Sequence, residues 1–316
     1  MLFGLFGSRA TADPQVNAAL DYLIERIDSR LALVGGCRRK LGKPAQHALQ
    51  FAHALVAELP APISLRSESW STEPRLRAFF ARAGDIGEVL GRGTGVREFF
   101  ARGAAEGFAI LGMTRKTQRV LTPALQGEVV HTDVARTSVS FADHRISLPC
   151  ATAEALRTDL ERRVLDFVAE RAAARLATLD TDRQELEQEH DVLKARMRLA
   201  GRDGHGLERA DGEALTVSLK KCEARLTELA GGLGDRAALV AQMLAAPEKE
   251  LQLAVHSLRL DQMNFVVDSG DAVCAEVTFV EATSSEELSR VLAPVKIFRD
   301  ELGPARDALA DAEKLL

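Results

Sequence analysis

A seven-residue leucine period dominates this sequence. Leu165, Ala172, Leu179, Leu186, Leu193 and Ala200 recur every seventh position, and neither Gly nor Pro occurs between residues 151 and 200. Pro149 and Gly201 bracket the stretch. Without helix breakers and with a period near 3.5, such a segment folds as one long helix that keeps a single apolar seam. At 1.5 Å per residue that helix is roughly 70 Å long. A companion row, Ala169, Leu176, Arg183, His190 and Met197, is polar in its outer part. Polar residues at seam positions fix register at some cost in stability.

The run Gly201 to Gly206 interrupts the pattern, and Leu215, Leu219, Cys222, Leu226 and Leu229 resume it until Gly231-Gly232. The predicted arrangement is an antiparallel helical hairpin. Its seam consists of Leu165, Leu179, Leu186, His190, Leu193, Leu215, Leu219, Cys222 and Leu226, and its tip of Arg202, His205 and Arg209. The same seam can close between two chains, giving a dimer.

Strand signals flank the hairpin. Val130, Thr132 and Val134 alternate, and the alternation resumes out of phase at Val139 and Phe141, the mark of a bulge. Three or four antiparallel strands are expected over 105–150. After the hairpin, Met263 to Val267 and Val273 to Phe279 alternate around the turn Asp268-Ser269-Gly270-Asp271. Leu251 to Leu258 fits either strand or helix. Ser284 with Glu287 reads as a capping box opening a helix through Leu288, Val291 and Leu292, and Pro304 as the start of another.

The predicted fold class is α+β: an antiparallel β body with N-terminal helices and an inserted long antiparallel coiled-coil hairpin. The expected organisation is a flexible segment over 1–12, helices over 13–104, a first β region over 105–150 and the hairpin arm over 151–246. A second β region over 247–283 packs with the first, and C-terminal helices fill 284–316. Asp13-Pro14 starts the first helix, Gly35-Gly36 ends it, and a second is expected from about Pro44 after the basic run Arg38-Arg39-Lys40.

Composition narrows the functional classes. The 316 residues carry 41 basic and 46 acidic side chains, a net charge of -5. This balance, with aromatics at 5%, disfavours nucleic acid as a partner. The charge is uneven: residues 1–150 are basic by five and the rest acidic by ten. Cys37, Cys150, Cys222 and Cys274 lack metal or redox spacing and read as reduced cytoplasmic thiols. No apolar run reaches the ~20 residues that span a bilayer. The short apolar start, Leu2, Phe3, Leu5 and Phe6, is a candidate membrane or partner plug, placing the protein in the cytoplasm, peripheral to the inner face of a membrane.

Chemical motifs are scarce, so no cofactor and no metal site is expected, and the reading leans away from an enzyme. Gly91-Arg92-Gly93-Thr94-Gly95 lacks the Lys-Ser/Thr ending of a phosphate loop and reads as a linker. None of the seven histidines forms a close ligand pair. The carboxylates from Asp180 to Asp191 read as a solvated helix face. One positive feature remains, the duplicated element Arg-x-Phe-Phe-Ala-Arg at 77–82 and 97–102. Its arginines, Arg77, Arg82, Arg97 and Arg102, with Arg92 between them, are a candidate anion or partner surface if they line one groove. The leading expectation is a scaffolding protein that binds a protein partner, or itself, through the arm. The alternatives are an enzyme or anionic-ligand domain with its site across the β body, and a peripheral membrane factor.

Overall fold

The computed structural model describes residues 13–126, 129–202, 209–229, 232–267, 274–286 and 288–304. The candidate plug over residues 2–6, His205 and the Asp268 to Asp271 turn lie outside the described residues. The protein is α+β, and its chain divides into two compact units, Met1–Phe51 with Val164–Pro247 and Ala52–Arg163 with Glu248–Leu316.

The first unit is helical. Helix α1 (Pro14–Ile27) starts where Asp13 accepts the Gln15 amide, with Pro14 in the first turn, and buries Leu20, Leu23, Ile24 and Ile27. Helix α2 (Cys37–Ala57) begins seven residues before Pro44, at Cys37 directly after Gly36, whose φ is +72°. The basic run therefore lies in the helix and not in a connector. Pro44 forfeits one amide bond inside α2, but the helix continues because Cys37, Leu41, Ala45 and Ala48 bury one face on both sides of it. Helix α6 (Ala153–Arg202) is continuous over 50 residues, about 75 Å. Its 164–176 stretch buries Val164, Leu165, Val168, Ala169, Ala172 and Leu176. The buried Asp166 accepts from the Tyr22 hydroxyl and from Arg26 Nε at 3.0 Å, tying α6 to α1. Helices α7 (Arg209–Leu229) and α8 (Leu233–Leu244) complete the unit.

The second unit holds a six-stranded sheet. Strands β2 (Glu106–Gln126), β3 (Val129–Cys150), β4 (Leu251–Leu260), β5 (Ala275–Ser284) and β6 (Ser289–Phe298) run in the order β3-β2-β6-β5-β4 with antiparallel neighbours. The short β1 (Ile63–Ser64) pairs parallel with β6. Both β regions of the sequence thus share one sheet. The first contains two long strands, not three or four: the register shifts at Phe108/Ile110, Gly112/Thr114 and Thr122/Ala124 do not end β2 and β3, and no bulge falls near Ala135-Arg136, where the phase slip suggests one, because 134–142 pairs without interruption. The ambiguous 251–260 segment is strand β4. After β4 the chain doubles back: Val266 bridges Leu260 of β4 and Phe265 bridges Ser138 of β3. This return links the two edge strands locally, at residues 137–139 of β3 and 259–260 of β4.

Residues 289–298 are strand, which corrects the helix expected there. Val291, Ala293, Val295 and Ile297 are each at most 2% exposed, a period of two that outweighs the helical reading of Leu288, Val291 and Leu292. Pro294 is tolerated because it falls between Leu292, the last residue paired with β5, and Val295, the first paired with β1. Glu287 and residues 305–316 lie outside the described residues.

Three short helices pack on this sheet: α3 (Pro74–Phe79), α4 (Ala83–Arg92) and α5 (Thr94–Ala101). Glu73 caps α3, and Gly93 precedes α5. The expected glycine-rich linker is the end of α4, its cap and the first turn of α5. Phe79, Phe80 and Phe100 are buried, and Phe79, Phe141 and Phe279 stack edge to face in the core.

Candidate functional site

Beyond Leu176, α6 is covered mainly by α7. Leu186, Leu193 and Cys222 are buried there, with Leu215, Leu219, Leu226 and Leu229 packed against them. The Cys222 Sγ lies 3.3 Å from the Leu186 carbonyl oxygen, and Leu179 and Leu229 line one cavity, so α7 runs back along α6. His190, 17% exposed, sits in this row with Nε2 3.5 Å from Glu223 and Nδ1 3.6 Å from Asp191. Leu165, the first residue of the period, lies outside the contact: α7 ends level with Leu179, and Leu165 is buried in the core of the unit. Arg202 closes α6 and Arg209 opens α7.

At the inner end of this pair is a cavity of about 160 Å³, lined in part by Leu176, Leu179, Arg183 and Leu239. On its wall Arg236 grips Asp180 with two bonds of 2.6 and 3.0 Å and reaches Asp28 at 3.4 Å. The Arg236 guanidinium holds the Asp180 carboxyl below the usual carboxylate range, and Arg30 does the same for Asp28. Both arginine and carboxylates are thus occupied by one another.

The arginines of the duplicated element do not converge. Arg82 pairs with Asp85 and Arg92 with Glu88, each at 3.1 Å and each within one helical turn. Arg97 donates to the Gly91 and Gly303 carbonyls at 2.6 and 2.7 Å. Arg77 is half-buried and Arg102 exposed. The two copies diverge at their ends: both helices start three residues before the first arginine, but α3 stops at Phe79, whereas α5 continues to Ala101.

A cluster the sequence does not announce sits on the sheet. Glu281 of β5 accepts from Ser289 of β6 at 2.5 Å and Arg115 of β2 at 2.8 Å. It also lies 3.1 Å from Nε2 of His256 of β4, whose ring stacks on Phe279. Four strands contribute one residue each, at positions 115, 256, 281 and 289. The one signal in the sequence was phase: Glu281 continues the core-facing series Val277, Phe279, where a charge demands partners.

Among the described residues no group of three or more His, Cys, Asp or Glu could hold a metal ion, and no helix is long and apolar enough to cross a membrane. Comparison with protein-family models, with curated proteins and with solved structures finds no match to this chain.

Proposed function

We propose that this protein is a docking or scaffolding factor and that α6 with α7 forms an antiparallel coiled-coil arm that carries its binding surface. The observation that supports this is the thinness of the seam. Over residues 177–199 of α6 and 212–229 of α7 only Leu186, Leu193 and Cys222 fall below 9% exposure. So long a helix pair adds little to a core, and most of its surface is left for a partner. The free state of all four thiols supports a reducing, cytoplasmic compartment. The test replaces residues 184–226 with a short Gly-Ser linker. The expected outcome is an unchanged sheet, read by amide exchange in β2 and β6, with loss of the proteins captured by the intact chain. Full retention of binding without the arm excludes this function.

The Glu281 cluster favours a second reading, a ligand-binding domain, because it unites an arginine, a histidine and a serine around one buried carboxylate. It ranks lower because Glu281 already accepts from Arg115 and Ser289 with His256 Nε2 3.1 Å away, and a carboxylate engaged on three sides is a poor base. Exchange of Arg115 to Gln with no change in any binding or turnover measured on the intact chain removes it.

A further inference from the structure

We infer that the partner of the arm is a second copy of this chain, docked antiparallel along α6 about a two-fold axis near Val192. This rests on the docking function proposed above and names its partner. Two independent features of α6 meet at this point.

The first is charge. Asp182, Glu185, Glu187, Glu189 and Asp191 stand against the lone Arg183, so residues 181–191 carry four net negative charges, Asp180 being neutralised by Arg236. Residues 192–202 carry Lys194, Arg196, Arg198 and Arg202 and no acid. The sign changes within Asp191-Val192-Leu193-Lys194. Helix α7 offsets this only in part: it carries Lys220, Lys221 and Arg225 with Glu223 and Glu228 level with the acidic block, and Arg209 with Asp211 and Glu213 level with the basic one.

The second is apolar exposure. Nine large hydrophobic side chains are exposed among the described residues, and two of them lie here, Val192 at 51% and Leu199 at 60%. Val192 and Leu199 are seven apart and share one face of α6.

An isologous interface needs a self-complementary patch. On the face of α6 that carries Val192 and Leu199, Glu185 and Glu189 precede Val192 and Arg196 follows it, which meets that requirement. Antiparallel docking sets the acidic block of each copy against the basic block of the other, whereas parallel docking sets like against like. The intrachain seam of Leu186, Leu193 and Cys222 stays closed, because Val192 and Leu199 lie on the flank of α6, outside that buried row.

Sedimentation equilibrium of the full chain tests this. The expected mass is twice 34.3 kDa at tens of micromolar, with affinity falling about tenfold or more as salt rises toward 1 M. K194E/R196E/R198E makes residues 184–199 acidic throughout, and E185K/E187K/E189K/D191K makes them basic throughout. Each alone is expected to be a monomer with wild-type helix content, and an equimolar mixture is expected to recover a dimer. V192E/L199E, at exposed positions, is expected to be monomeric with the hairpin intact, which keeps the test available if a charge variant fails to fold. A monomeric wild type, or a dimer that survives in either charge variant alone, overturns the inference. The docking function itself survives that result if the arm replacement still abolishes capture of another protein.

Discussion

The amide of Gly303 donates to the carbonyl oxygen of Gly87 at 3.1 Å, laying the chain after β6 directly on α4. A Cβ on Gly303 would stand 2.4 Å from that oxygen, and one on Gly91 would stand 2.8 Å from the Pro304 carbonyl oxygen. These neighbours are backbone and cannot rotate away. Gly303→Ala is therefore expected to cost roughly 1–3 kcal/mol through overpacking, seen as a melting temperature several degrees lower. Gly84→Ala, on the same helix with nothing within 4 Å, serves as the control and is expected to be neutral or slightly stabilising. Equal melting of the two variants excludes a tight seat for this segment.

What could be read from the sequence depended on range. The α6 helix, the turn back into α7, and the strand character of β3 and β5 follow from periodicity within about fifty residues. The capping of α1 by Asp13 is local chemistry and was legible as such. Strand β6 was not, because Val291, Ala293, Val295 and Ile297 declare themselves only when β2 and β5 are on either side. The Glu281 cluster needs four strands to assemble before its residues meet. The scattering of the arginines likewise turned on where α3 ends, a boundary set by Phe79 and Phe80 entering the core.

The four thiols should separate cleanly by reactivity. Burial, together with the adjacent Asp159 carboxylate, pushes the Cys150 thiol up to about 12, and burial also raises Cys37 and Cys222. Cys274 is the one free cysteine that is not buried. At about pH 8 a thiol reagent is expected to modify one cysteine rapidly and the other three only after denaturation. Cys274→Ser should abolish the fast phase, and its persistence in that variant shows that another cysteine is accessible.

His144 should make stability fall with acid. Its ring stacks on Phe80, and Nε2 lies 2.7 Å from the Phe79 carbonyl oxygen, so the neutral ring donates from Nε2. Burial lowers its pKa below the ordinary value, against the opposing pull of that hydrogen bond and of Asp85 and Asp143. A base whose folded pKa is depressed contributes stability that is complete above its unfolded value, about 6.5, and is lost as pH falls toward the folded value. His144→Phe keeps the stacking surface and removes the titration. Urea unfolding from pH 7.5 to 5 should show a flatter profile for this variant than for the wild type, and parallel profiles would mean that His144 does not titrate on unfolding.

The seam between α6 and α7 is thin enough for single residues to decide its stability. Leu186 is 8% exposed and packs with Leu193 and Cys222, so Leu186→Ala is expected to cost about 2–3 kcal/mol, the lower part of the range for a buried leucine. With so small a cluster, that loss should open α7 locally and leave the sheet closed. Amide exchange along α7 would then approach unprotected rates while β2 and β6 keep theirs. His190→Leu is the converse. It replaces a polar seam residue, 17% exposed between Leu186 and Leu193, with one that extends the apolar row. Polar seam residues cost stability, so α7 amides should exchange about fivefold more slowly, the equivalent of roughly 1 kcal/mol. If both substitutions leave α7 exchange unchanged, its helix is held by something other than this seam.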